Sequence, residues 1–252
     1  MTSTNPNQTT EFVEFAAKVA EKITLFNSGK REVTSQELEQ IQHSAPAIEL
    51  AFYYLSDETT KFNSYVMFFA ANTLQAKIQS GSLPYDLKVE ADLRSLLLSS
   101  RFDGPTMSSL CSAWVGYLLL NYSFDNELIQ NKLAQLPSNT LINVLKILAE
   151  DVMSKKLYIK GSQRSKIVDH LISTQLPVIL QGVIPQLYRS NQNTMFILQH
   201  WLRLARFTSA MRRGRKLRAY DQSASPSDPN TVQVRTVNCT FRNHPFLPFD
   251  VL

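Results

Sequence analysis

Residues 62–81 read FNSYVMFFAANTLQAKIQSG, and the fold class follows from them. The apolar residues Val66, Phe69, Ala70, Leu74 and Ile78 recur at steps of three and four, which places them on one stripe of an α-helix. Phe68, Ala71 and Ala76 widen the stripe and predict a helix covered on more than one side. The small side chains of Ala70 and Ala71 let a neighbouring helix come close. Gly81 stands at a C-terminal stop position and Pro84 follows it.

The same periodicity extends in both directions. Upstream, a helix is predicted at about 11–28, with Phe12, Phe15, Val19, Ile23 and Phe26 on one face. Another is predicted at 34–43, where Thr34 and Glu37 have the spacing of a capping box. Ser44 and Pro46 restart the helix, with an apolar run from Ile48 to Leu55. Downstream, Pro84 opens a helix to about Ser99, and Asp103-Gly104-Pro105 breaks it. Further helices are expected at about 106–121, 125–135, 139–153 (capped by Ser138), 162–175, 177–190 and 193–207. Nothing before Thr208 suggests a sheet.

About ten helices pair off at a spacing of roughly 40 residues, near the period of HEAT-type repeats. A helix pair cannot bury its own apolar face, and stacking on the next pair solves that problem. The expected fold is therefore all-α, an α-solenoid of about four and a half helical hairpins. A compact orthogonal bundle is the alternative that periodicity leaves open. Residues 1–10 are expected to be disordered, 11–207 to form the repeat domain, and 208–252 to form a basic, disordered tail. In that tail VQVRTV (232–237) has no evident pairing partner, and HPFLPFDVL (244–252) leaves the helical pattern.

Composition agrees. The chain has 252 residues, 44 % of them hydrophobic, and only seven glycines. The net charge of +5 is local: outside RRGRKLR (212–218) the chain carries 21 Lys/Arg against 21 Asp/Glu. That cluster, Arg212, Arg213, Arg215, Lys216 and Arg218, is either a contact patch for RNA, an acidic protein or an import receptor, or a solvated segment. No aromatic residue is interleaved with it to stack on bases, so nucleic acid is not the expected partner. Two distant cysteines, Cys111 and Cys239, suit a reducing compartment. The polar N-terminus lacks the apolar core of a signal peptide, and the most apolar run, 114–120, is too short to span a bilayer. A soluble protein with no membrane partner is expected.

Chemistry-bearing motifs are sparse. His43, His170, His200 and His244 are scattered, and two cysteines give no zinc spacing. No phosphate-cradling or nucleophile-elbow motif occurs. Glu150 and Asp151 diverge by about 100° on a helix and suit a solvated turn better than an acid/base dyad. The expectation is a non-enzyme without cofactor or metal.

FFAANTLQAKI (68–78) also resembles the second-repeat outer helix of the importin-β superfamily of nuclear transport receptors. Residues 38–55 resemble that family's first repeat, with Ile48 where a tryptophan is expected, and LPYDLKVEADLRSLLL (83–98) resembles the inner helix of its second. NTLINVLKILAEDVMSKKLYIKGSQRSKIVDHL (139–171) and MFILQHWLRLARF (195–207) are similar to the transportin-SR branch. There Leu145, Leu148, Glu150, Leu157, Arg164, Ile167, Leu171 and Trp201 fall in matching places.

The resemblance implies a carrier shuttling between cytoplasm and nucleus. Its first inner helices would bind the GTP form of the small GTPase Ran, at exposed positions such as Glu49, Tyr53, Glu90 and Arg94. Its other implied partners are phenylalanine-glycine repeats of the nuclear pore and protein cargo, serine/arginine-rich splicing factors in this branch. Family members are several times longer. The resemblance therefore also implies a stack whose last helix, with Leu198, Trp201 and Leu204, lacks a stacking partner. A truncated form that has lost function, and a helical-repeat scaffold unrelated to Ran, are the alternatives.

Overall fold

A computed structural model describes residues 10–29, 34–57, 62–84, 86–99, 101–121, 132–133, 135–154, 157–185, 195, 197–206 and 208–209. Among them every regular element is helical. The chain divides into two units, 1–210 and 211–252. The second unit, with the basic cluster and both odd tail segments, lies outside the described residues, as does most of the helix expected at 125–135.

The helices are α1 (Thr10–Asn27), α2 (Ser35–His43), α3 (Ala47–Ser56), α4 (Ser64–Gln79), α5 (Leu87–Leu98), α6 (Gly104–Asn121), α7 (Ser138–Asp151) and α8 (Gly161–His170). Local chemistry sets several of their ends. Thr34 Oγ1 accepts from the Glu37 N–H at 3.2 Å, and the Thr34 N–H donates to Glu37 Oε2 at 2.9 Å, so the capping box forms. The Thr34 N–H, aided by Lys22 at 3.5 Å, holds the Glu37 carboxyl below its usual range. At the end of α4, Gly81 has φ +69°. Its N–H reaches the Ile78 carbonyl at 2.9 Å while the Ser82 N–H reaches Lys77 at 3.1 Å. This pairing needs a left-handed residue, which glycine supplies without a Cβ clash.

Three helix starts differ from expectation. α5 begins at Leu87 rather than Pro84, because the Asp86 carboxylate accepts the Lys88 N–H at 2.8 Å. The Asp103-Gly104-Pro105 break is itself the start of α6, with the Asp103 carboxylate accepting from Thr106 N–H at 2.8 Å. Ser138 is the first residue of α7 and makes no side-chain cap. Pro177 does not split the segment after Gly161. The chain stays helical through it, with π-turns at Leu171–Gln175 and Ile179–Val183 on either side of the short α9 (Leu176–Val178). A proline ring cannot sit in a regular α-ladder, and wider turns relieve the clash.

α4 packs most extensively on α6, and also on α3 and α1. Val66, Ala70, Ala71, Thr73, Leu74 and Ile78 are buried there. Each fully buried Val, Leu or Ile contributes about 1.5–3 kcal/mol. Phe69 is half-buried against this core. The expectation that Phe68 and Ala76 join the buried stripe fails. Both are exposed, Phe68 at 39 %, and with Tyr65 they share the side of α4 opposite those contacts. Likewise α1 buries Ala16, Val19 and Ile23 but leaves Phe15 and Phe26 partly in water. α6 is apolar on nearly every side because α4, α5 and α7 all pack on it. Its Gly116 faces α4, where a Cβ would stand at ordinary contact distance, 3.4 Å, from Ile78 Cγ2.

The helical segment 197–206 does not leave its apolar side open. Ile197, Trp201 and Leu204 are completely buried. Trp201 Nε1 donates to the Leu145 carbonyl of α7 at 3.0 Å, and Leu198 is half-buried. The expected unpartnered end is therefore corrected at Trp201 and Leu204.

Candidate interaction surface

Glu49 and Tyr53 lie on α3, and Glu90 and Arg94 on α5. α3 docks on α4 and α5 docks on α6. Glu49 is exposed, as expected. Tyr53 is not: it is half-buried, with its ring edge-on to Phe12 at 5.6 Å and to Phe62 at 5.8 Å. The neighbouring Tyr54 is completely buried and donates to the Ala16 carbonyl at 2.6 Å, and burial pushes its hydroxyl pKa upward.

Glu90 is a larger correction. It is 5 % exposed, and its Oε1 meets Lys132 Nζ at 2.6 Å. Arg94 is half-buried and donates through Nη2 to Gln135 Oε1 at 2.6 Å. Both α5 residues are thus engaged with the 132–135 segment rather than held toward solvent. A buried carboxylate needs a paired cation, and here a lysine 42 residues away supplies it. No local sequence signal announces such a partner. The basic cluster Arg212, Arg213, Arg215, Lys216 and Arg218 lies outside the described residues.

An open groove of about 460 Å³ runs between the end of α1, α2 and α4. Phe26, Leu38 and Phe69 give it apolar walls, and Glu39 and Lys77 stand among its polar ones. Lys77 is engaged there, donating to the His43 and Ser44 carbonyls at 3.1 and 3.3 Å.

Among the described residues no group of three His, Cys, Asp or Glu could hold a metal ion, and no helix is long and apolar enough to cross a membrane. Cys111 is fully buried, and burial pushes its thiol up to about 12, far from a reactive thiolate. Glu150 is not merely solvated: its Oε1 lies 3.3 Å from His200 Nδ1, joining α7 to the 197–206 segment. His170 contacts Gln175 at 3.2 Å, and His43 is exposed at the end of α2. His244 and Cys239 lie outside the described residues. These arrangements fix helices against one another.

Comparison with protein-family models and with curated proteins finds no match for this chain.

Proposed function

We propose that this chain is a helical-repeat protein-binding module, the N-terminal stack of an importin-β-type nuclear transport receptor of the transportin-SR kind. The observation that supports the repeat reading is a group of tertiary hydrogen bonds of similar span, within a wider range that runs from 31 residues (Asp86 to Tyr117) to 56 (Trp201 to Leu145). Tyr54 reaches Ala16, Asn63 reaches Thr24, Ser109 reaches Asn72, Lys132 reaches Glu90 and Gln163 reaches Leu120. These span 38, 39, 37, 42 and 43 residues. An offset that clusters near 40 residues, about the length of one helical hairpin, supports a stack in which each unit rests on the next. The helix order agrees: α1, α4, α6, α7 and the 197–206 segment succeed one another, with α3 and α5 flanking.

On this reading HEAT-type hairpins present one row of helices to Ran in its GTP form and leave other surfaces for cargo and for pore repeats. Cargo would include serine/arginine-rich splicing factors, and the protein would shuttle between cytoplasm and nucleus. Ran and cargo would oppose each other by linkage, each favouring a different set of inter-repeat angles. No residue would perform bond chemistry. The motif resemblance through residues 11–207 supports the choice of family.

A second reading has its own support. Of the four inner-helix residues assigned to Ran, Tyr53, Glu90 and Arg94 are engaged within the fold. That favours a repeat scaffold for a different protein. The affinity of the chain for Ran loaded with GTP and with GDP separates the two. GTP-selective binding supports the receptor. Equal or undetectable binding by a folded sample overturns it and leaves the scaffold.

A further inference from the structure

Residues 157–160, Leu-Tyr-Ile-Lys, form a short non-helical connection ahead of α8. Leu157 and Ile159 are 1 % and 8 % exposed, while Tyr158 between them is 89 % exposed. The Ile159 N–H donates to the Leu157 carbonyl at 2.9 Å, closing a three-residue turn with Tyr158 at its tip. Arg164, from the first turn of α8, donates to the carbonyls of Ser154 and of Leu157, the latter at 3.1 Å. Two buried anchors and this clasp hold the turn fixed. The phenol ring stands in water on a braced backbone.

Between Asp151 and Asp169 the sequence carries charge of one sign. Residues 152–168 contain Lys155, Lys156, Lys160, Arg164 and Lys166 and no Asp or Glu. Lys160, next to the turn, and Lys166, within α8, are exposed. Unlike the basic cluster of the tail, this segment combines an aromatic ring with its cations.

We propose that this turn is a binding site for single-stranded nucleic acid, with Tyr158 as the stacking platform for a base and Lys160 and Lys166 as phosphate contacts. Flat bases stack on free aromatic faces, and phosphates pair with exposed cations. An acidic protein is the other partner that positive charge admits. A lone ring raised on a braced turn, with a lysine two residues on and, among the described residues, no apolar patch around its tip, suits a base face better than a protein anchor. The proposal does not depend on binding to Ran.

The test is fluorescence anisotropy of the full chain with a labelled single-stranded oligouridine of roughly 12 nucleotides. The five basic residues of 212–218 are changed to Gln in every sample, so that only the turn is read. The expected result is measurable binding that Tyr158→Ala weakens roughly ten-fold or more and Tyr158→Phe preserves. Changing Lys160 and Lys166 to Gln should flatten the slope of log K against log salt by about 1.4. Circular dichroism checks that each variant is folded. Absent binding, or binding indifferent to Tyr158→Ala, overturns the proposal. So does displacement of the oligonucleotide by an oligoglutamate peptide whose own affinity depends on Tyr158, which would assign the turn to an acidic protein.

Discussion

Lys132 Nζ and Glu90 Oε1 meet at 2.6 Å, and the carboxylate side chain is only 7 % exposed. A pair this buried is costly to break, because removing the lysine takes a charge-assisted hydrogen bond from a carboxylate held out of water. Lys132→Met should destabilise the protein by about 3–5 kcal/mol, while adding Glu90→Leu should recover most of the loss. Urea denaturation of the two single variants and the double variant measures the cycle. If Glu90 were instead a solvent-facing contact for a partner, Lys132→Met would leave stability nearly unchanged.

Gly116 faces Ile78 and Leu157, and an added methyl would sit at 3.4 and 3.7 Å from them, within ordinary contact. Gly116→Ala should therefore be neutral or stabilising by up to about 1 kcal/mol, from helix propensity. Gly116→Leu has no such room and should cost about 1–3 kcal/mol through overpacking between α6 and α4. Thermal unfolding of both variants gives the comparison.

Cys111 supplies a pH dependence with a definite sign. Its thiol rises from 9.0 to about 12 on burial, so the folded state holds the proton where the unfolded state releases it. This contribution is fully present below pH 9.0 and is lost as pH climbs toward 12. The unfolding midpoint should fall more steeply over that window in the parent than in Cys111→Ala. In a Cys239→Ser background, a thiol reagent at neutral pH should label the protein only after denaturant is added.

Trp201 links the 197–206 segment to α7 through the Leu145 carbonyl. Trp201→Ala should cost about 3–5 kcal/mol. Trp201→Phe, which keeps most of the apolar volume and drops the indole donor, should cost much less. Hydrogen exchange should show the loss first in residues 197–206 and at the adjoining face of α7.

Features that depend on neighbours a few residues away were legible in the sequence. The Thr34–Glu37 box and the Gly81 stop are complete within one turn, and both form as their spacing predicts. Periodicity also located most helices. It misjudged faces where two apolar stripes compete: α4 holds more apolar residues than its neighbours can cover, so Phe68 and Ala76 remain outside. Pro177 misled because a proline marks a break only for a strict α-ladder, and π-turns provide another route.

The candidate contacts were less legible. Charged residues on an inner helix look solvent-facing until their partner is known. For Glu90 the partner is Lys132, and for Arg94 it is Gln135, 42 and 41 residues further on. Tyr158 did leave a trace: Leu157-Tyr158-Ile159-Lys160 alternates between apolar anchors and outward residues inside a lysine-rich break.

Hydrogen bonds between helices reach back 38 residues from Tyr54 to Ala16 and 43 from Gln163 to Leu120. A growing chain leaving the ribosome would thus meet the partners of each new helix already in place. Vectorial synthesis and assembly then proceed in the same direction, with few long loops to close and little time for an unpaired apolar face to find a neighbouring polypeptide.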